Sequence, residues 1–342
     1  MKCPYCQGKP CIRKGVRRGN LKYQCQVCGK WFQVRRGRKS NSGSLLLSHL
    51  YGLSFRSLAN THGINPSTAY RRCLKALEVL PHCADVTRKY CSRFCGILLV
   101  DGKYIAVKGY GRKIPVLYGV DYLTHDIPHY LFSVAENYQT CVTFFQSLRL
   151  ANYPLQAVVC DDNVNIYQAA TKVYPAAVTQ LCQNHYKQSV RLDLDVRNDP
   201  AYLPFMREIE VLFEKRRSGE EFQRLAGKIL FKHQHDPRCL SVLTDIQRRL
   251  PYLNAYTALP RVPRTTNLIE SYNSHLQGRL KTIKGFESFK HADTWLNAYF
   301  LNRRLKPFTD CGRAFHHLNG RRSLELTKKP YYQLDPLLKL FR

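Results

Sequence analysis

An α/β fold, a mixed sheet flanked by helices, is predicted by three observations. First, the run Ile97, Leu98, Leu99, Val100 has the length and branching of a strand buried on both faces. Second, a similar run, Ala157, Val158, Val159, Cys160, follows a helical stretch at 140–150. Third, strand-like runs at 104–108, 114–121 and 129–135 lie between them, separated by short turns, and strand and helix alternate afterwards. Both apolar runs deliver acid, Asp101 after the first and Asp161 and Asp162 after the second. An ionised carboxylate is costly to bury alone, so an acid so placed holds a metal, pairs with a base or stands at a solvated strand end.

The composition bounds the partners. A chain of 342 residues with 44% hydrophobic content has material for two or three domains with real cores. Lys and Arg total 54 against 24 acids, a formal charge of +30. Such an excess points to a polyanion, nucleic acid ahead of a membrane surface. No stretch approaches the ~18 apolar residues of a membrane span, and MKCPYCQGKP has no apolar signal region. The expectation is a soluble, cytoplasmic protein associated with DNA. In that setting its 14 cysteines read as metal ligands and buried thiols rather than disulfides.

Residues 1–40 read as a zinc ribbon. Cys3 and Cys6, then Cys25 and Cys28, form two Cys-x-x-Cys pairs at the spacing of a four-thiolate zinc site. The segment is too short and polar to bury four thiols without metal. Cys11 is surplus. Twelve basic residues and no acid accompany the cysteines, a phosphate-contacting composition. Tyr23, Trp31 and Phe32 are expected to pack the ribbon, although an aromatic among bases also suits stacking on DNA.

Residues 41–95 read as a helix-turn-helix module and connector, entered through a polar linker at 40–43. Apolar residues recur at helical spacing, with Gly52 and Gly63 marking turns. Pro66, Ser67 and Thr68 would open the third helix, which carries Arg71, Arg72 and Lys75 as candidate DNA contacts. A plain three-helix bundle with solvated bases would share this pattern.

Residues 96–192 hold the predicted sheet. Three antiparallel neighbours followed by strand-helix alternation is the order of the RNase H architecture. There the first strand and a later parallel strand lie side by side, which would bring Asp101 near Asp161 or Asp162. Two such acids repel unless a hard divalent cation, Mg²⁺ or Mn²⁺, lies between them. Strand alternation allows only one of Asp161 and Asp162 to face Asp101, the other being free to cap the next helix. Cys182 and His185 read as a packed thiol and a hydrogen-bonding imidazole near the site, since no second pair completes a structural zinc set.

Residues 193–262 are charged and helical in pattern, an all-helical insertion. Residues 263–342 return to the sheet domain and end in a basic tail that reads as uninformative. In RTTNLIESYNSHLQGRLKTIK, Asn267 is placed to cap a helix that presents Glu270, followed by Arg279, Lys281 and Lys284. Asn267 with Glu270 three residues on is also a capping-box pattern, so Glu270 reads either as helix closure or as a metal-bound acid beside a phosphate track.

In this ordered set the chain resembles the Mutator-type (MULE-like) insertion-sequence transposases, DDE recombinases with an RNase H-like catalytic domain. The resemblance rests on Asp101-Gly102 in an apolar strand, a second Asp ending a VV strand, Cys182-x-x-His185, and Thr265-Thr266-Asn267-x-x-Glu270-x-x-Asn273. It implies Asp101, Asp161 and Glu270 as a triad binding two Mg²⁺ (or Mn²⁺) ions, with the helical insertion between the second and third acids. It further implies Mg-dependent strand cleavage and strand transfer on double-stranded DNA, by a homodimer or higher assembly. The ribbon and helix-turn-helix would bind the terminal repeats of the element. Two departures stand out: Asp162 where the family usually has Gly, and no Trp in the insertion, the only tryptophans being Trp31 and Trp295. The alternatives are a DNA-binding regulator with an inactive RNase H-like domain, and a nuclease of the same architecture that cuts without joining.

Overall fold

The computed structural model describes residues 1–17, 20–35, 42–283 and 285–341. Lys284, Arg18 and residues 36–41, which include half of the expected linker at 40–43, lie outside the described residues; the other half, Ser42 and Gly43, is already helical. The chain divides into two compact units, Met1–Leu45 and Leu46–Arg342.

The first unit is a three-stranded antiparallel sheet, β1 (Cys11–Arg17), β2 (Asn20–Cys25) and β3 (Trp31–Arg35), in that order. Its apolar core is minimal: Cys3, Cys25 and Phe32, with Tyr23 stacked on Phe32 at 5.8 Å. Trp31 departs from the packing role expected of it. It is 46% exposed, with the Lys22 ammonium 4.2 Å from its ring centroid.

The second unit begins within α1 (Ser42–Leu50) and continues through α2 (Phe55–His62), α3 (Pro66–Glu78) and α4 (Cys83–Tyr90). Local chemistry sets their ends. Ser54 caps α2 by accepting from the Ser57 amide, and Gly63 closes it at φ 60°, where a side chain would be strained. Asn65 caps α3 and Pro66 occupies its first position, where a missing N–H costs nothing.

The five-stranded sheet follows: β4 (Ile97–Ile105), β5 (Ile114–Asp121), β6 (Tyr130–Phe132), α5 (Tyr138–Leu150), β7 (Ala157–Cys160), α6 (Val164–Val173), β8 (Val178–Leu181) and α7 (Gln183–Asp193). The strand order is β6-β5-β4-β7-β8; β4 is antiparallel to β5 and parallel to β7. One expectation is corrected here. Asp101 does not end its strand, because β4 runs on through Gly102 and Tyr104, each paired with β5.

Strand alternation sorts the core into two layers. Ile97, Leu99 and Val159 face one cluster, while Leu98, Val100, Val158 and Cys160 face the other. The second layer is covered by α5, α6 and the helices α8 (Leu203–Leu212), α9 (Gly219–His233) and α10 (Pro237–Leu253). The first is covered by α11 (Asn267–Ile283) and α12 (Phe289–Leu305), with α13 (Ser323–Thr327) alongside. Burying a Leu or Val side chain in this way is worth about 1.5–3 kcal/mol each, so the two-faced burial of β4 anchors the sheet.

The basic tail is structural rather than uninformative. Arg304 and Asp126 form a fully buried ion pair, Nε to Oδ1 at 2.9 Å and a terminal nitrogen to Oδ2 at 2.8 Å. Ser323 and Thr327 of α13 donate to the same carboxylate, and Arg304 also donates to the Cys83 carbonyl and the Thr87 hydroxyl of α4. Leu324, Leu338 and Phe341 are buried with them. No described helix is long and apolar enough to cross a membrane.

Candidate functional site

The sheet register brings two of the predicted acids together. Ile97, Leu98 and Leu99 of β4 stand opposite Ala157, Val158 and Val159 of β7, and the same offset carried two residues further puts Asp101 opposite Asp161. Asp161 therefore shares a face with Asp101, and the next residue, Asp162, turns the other way. There it forms an ion pair with Arg249 of α10. Asp162 lines a cleft of about 710 Å³ between α7 and α10, with Tyr186, Arg238 and Asp245 on its walls.

Asp101 is largely buried, which raises its carboxyl to about 6; the Gly102 amide pulls the other way, and the charge of Asp161 adds to the rise. Asp161 is also raised, first by burial, with His185 opposing. Protein donors orient Asp101. The Gly102 amide donates to Oδ1 at 2.7 Å, and the Asn273 side-chain amide donates to Oδ2 at 2.5 Å.

Glu270, on the first turn of α11, is linked to Asp161 through His185, on which both charges act; its carboxylate lies with Cys182 and His185 rather than with the two strand acids. Asn267 is the first helical residue and not the cap, a correction to the expected capping pattern; its Oδ1 accepts from Asn184 at 3.1 Å. The cap position belongs to Thr266, whose carbonyl accepts from the Glu270 amide and whose hydroxyl donates to Glu270 Oε1 at 2.7 Å. Glu270 thus closes no capping box. The Thr266 amide and hydroxyl also reach the Cys182 sulfur, at 3.4 and 3.2 Å, and the hydroxyl lies 3.3 Å from His185 Nδ1. His185 Nε2 is 3.8 Å from Glu270 Oε1, and ligand atoms of Cys182, His185 and Glu270 all lie within 4.8 Å of one another. Its hydrogen bond to Cys182 raises the imidazole to about 9 against the opposing effect of burial, with the Glu270 and Asp161 charges adding to the rise.

Glu136, in the turn before α5, is a fourth acid here that sequence reading missed. It accepts from the Tyr104 hydroxyl at 2.9 Å and from the Asn163 amide at 2.7 Å, and its charge reaches Asp101. Gly102 makes room for it: a Cβ at that position would lie 2.7 Å from Glu136 Oε2. The glycine of Asp101-Gly102 was the available signal.

In the ribbon, Cys3 and Cys28 sulfurs lie 3.7 Å apart and Cys6 and Cys25 sulfurs 3.6 Å apart, all four within 4.8 Å of one another. Tetrahedral zinc with ~2.3 Å Zn–S bonds sets sulfurs about 3.8 Å apart, so the four thiols fit zinc. Cys11 stands aside, its thiol 3.7 Å from the Gly8 carbonyl.

The predicted DNA contacts lie apart from the acids. Arg71 and Lys75 are exposed on α3, with Arg72 half-buried between them. Arg279 and Lys281 lie nine and eleven residues past Glu270 on α11, about 13–17 Å along the axis. Arg279 donates to the Tyr51 carbonyl at 2.9 Å.

A family model described as "Transposase, Mutator family" matches residues 87–302, more than half of the chain and all of the acid cluster. The chain belongs to the Mutator family of transposases. Among curated proteins none matches this Mutator-family chain. Two solved structures resemble it at low similarity. The simian T-cell lymphotropic virus intasome in complex with PP2A regulatory subunit B56 gamma is 10% identical, covers 86% of this chain and 77% of its own, and has a TM-score of 0.29. The Drosophila P element transposase strand transfer complex is 11% identical, covers 84% and 89%, and has a TM-score of 0.30.

Proposed function

We propose that this Mutator-family chain is a DDE transposase that cleaves and joins double-stranded DNA at Asp101, Asp161 and Glu270, on an RNase H-like catalytic domain formed by residues 96–192 and 263–342. The reading is carried by one observation: Asp101 in β4 and Asp161, the residue that follows the parallel strand β7, are both raised by burial and act on one another, and the charges of Asp161 and Glu270 both act on His185. Such acids are stabilised by hard divalent cations, and an all-oxygen donor set suits Mg²⁺ or Mn²⁺. When bound, the ions would activate a water or 3′-hydroxyl and neutralise the leaving oxygen. The protein's own groups hold the acids in place. Asn273 and the Gly102 amide orient Asp101, Thr266 orients Glu270, and Glu136 holds Asn163 against the strand end. His185, drawn toward its protonated form by Cys182, offsets the acid charge before metal arrives.

Residues 193–262 act as a helical insertion in this reading, and α10 takes Asp162 out of the metal set through Arg249. The ribbon, held by zinc on Cys3, Cys6, Cys25 and Cys28, and the helix-turn-helix formed by α2 and α3 would bind the element's terminal repeats. Arg71, Arg72, Lys75, Arg279, Lys281 and Lys284 are the candidate phosphate and base contacts. Two active sites for two element ends imply a dimer or higher assembly on DNA.

The test is cleavage of duplex carrying the inverted repeats that flank the gene, with Mg²⁺, by wild type and by Asp101→Asn. Wild type should nick and then join; Asp101→Asn should bind the same duplex within a few-fold and cut nothing. Nicking by the variant overturns the metal assignment, binding without cleavage by wild type favours a regulator, and cleavage without joining favours a nuclease.

A further inference from the structure

On the flank of α11 turned away from Glu270, a cavity of about 170 Å³ opens between the end of α1 and the last turns of α12. Arg279, Arg303 and Lys306 converge on it. Among the described residues none of the three forms an ion pair with a carboxylate. Aromatic rings hold them instead. Lys306 Nζ is 5.2 Å and the Arg279 guanidinium 5.9 Å from the Tyr51 ring centroid, and the Arg303 guanidinium is 4.8 Å from that of Tyr272. A ring positions a cation without neutralising it, so three full positive charges face one small space.

Two buried polar atoms at the cavity also lack partners. Asn302 is only 4% exposed, yet its Oδ1 has no hydrogen-bond partner, and neither has Arg303 Nε. A buried polar atom left unmade is costly. His275 on the wall reports the field: burial lowers its pKa, Arg303, Arg279 and Lys306 push it the same way, and Asp310 opposes them. Asp310, exposed at the rim, is the only acid among the lining residues.

We propose that this cavity binds one backbone phosphate of duplex DNA, a phosphodiester other than the one cut, seated by Arg279, Arg303 and Lys306. This rests on the reading of the chain as a DNA-cleaving enzyme. An oxyanion with several acceptor oxygens and no donor matches two forked guanidiniums and an ammonium. At ~30 Å³ per water the cavity holds the volume of about five or six waters, which suits a phosphate with its hydration rather than a nucleoside. Nine residues separate Glu270 from Arg279, two and a half turns and about 13–14 Å. The bound phosphate is therefore a positioning contact that fixes the duplex relative to the acids.

Full-length Arg303→Gln/Lys306→Gln protein should bind a short duplex of arbitrary sequence about 10-fold more weakly at low salt, with the slope of log Kd against log salt reduced by about one. Arg224→Gln/Lys228→Gln, which removes the same charge from the exposed side of α9, should leave the slope unchanged. Inorganic phosphate should raise the melting temperature of wild type more than that of the Arg303/Lys306 variant. An unchanged slope in the Arg303/Lys306 variant overturns the site, and so does an equal loss in the α9 control, which would mean net charge alone. If the double variant fails to fold by circular dichroism, Lys306→Gln alone is read by the same criteria. Wild type that binds no duplex would fail the functional reading itself; wild type that binds and cuts, beside a variant with unchanged affinity and slope, would fail only the phosphate site.

Discussion

Asn273 of α11 donates its side-chain amide to Asp101 Oδ2 at 2.5 Å, while its own Oδ1 accepts from the Tyr118 hydroxyl at 2.9 Å. One amide thus joins the helix that carries Glu270 to the central strand pair, across 172 positions of sequence. The helix and the strand are held by a satisfied buried network, so the acids they carry keep one spacing.

Asp101 should cost the metal-free protein stability. Its folded pKa of about 6 lies above the ordinary value of 3.8, so the folded state binds the proton more tightly than the unfolded chain. Stability therefore falls as pH rises from about 4 to about 6 and stays lowered above that, by roughly 1–3 kcal/mol. Asp101→Asn in chelator should melt several degrees above wild type near pH 7 and level with it near pH 4. Parallel melting curves at both pH values would refute this, and added Mg²⁺ should raise the wild-type melting temperature only.

Gly102→Ala should displace Glu136, because the new Cβ falls 2.7 Å from Oε2. The carboxylate can swing aside, so the cost is that of its hydrogen bonds to Tyr104 and Asn163, about 0.5–1.5 kcal/mol each. In a double-mutant cycle with Glu136→Ala, the two substitutions should couple by roughly 1 kcal/mol or more. Simple additivity in urea denaturation would sink the close-approach account.

Thr266→Val keeps the shape of the cap residue and removes the hydroxyl shared by Glu270, Cys182 and His185. Misplacing the third acid should lower the Mg-dependent cleavage rate about 10- to 100-fold with duplex affinity unchanged. Thr266→Ser should restore most of the rate; equal rates for Val and Ser variants would count against the tether.

The buried pair of Arg304 and Asp126 should be far more costly to break than to replace. Arg304→Met alone leaves a buried carboxylate and should destabilise by about 3–5 kcal/mol, whereas Arg304→Met/Asp126→Leu should cost less than the two single losses together. Chemical denaturation of the four proteins decides it.

Zinc removal should unfold the ribbon of the Met1–Leu45 unit, whose buried apolar cluster among the described residues is Cys3, Cys25 and Phe32. Native mass spectrometry should find one zinc per chain, lost in Cys25→Ser. Protease cleavage within residues 1–35 should then appear while the rest stays protected; a ribbon that resists protease without metal would refute the assignment.

Much of this was legible before any coordinates. The strand at 97–100 and that at 157–160 announce themselves by unbroken apolar runs, and the start of α3 by Pro66. Asn267 misled, because a capping pattern reads local spacing, whereas here the side chain of Asn267 is drawn to Asn184 on another helix. Glu136 carried no pattern of its own. It reaches the acids only through the turn that joins β6 to α5. The tail after α12 looked merely basic, yet its Ser323 and Thr327 donate to buried Asp126; within α12, Arg303 and Arg304 are alike in sequence, but one faces the cavity by Tyr51 and the other is buried against Asp126.

By itself the sequence determined that two buried strands each deliver an acid, that four cysteines share one spacing, and that a later helix starts beside Glu270, because burial and local geometry leave periodic marks. Only the tertiary structure separates Asp161, whose charge acts on Asp101, from Asp162, which pairs with Arg249. That separation depends on the register of β4 against β7, where Leu99 meets Val159. A shift of one residue would turn every side chain of the strand to the opposite face, and nothing within either strand alone records the pairing.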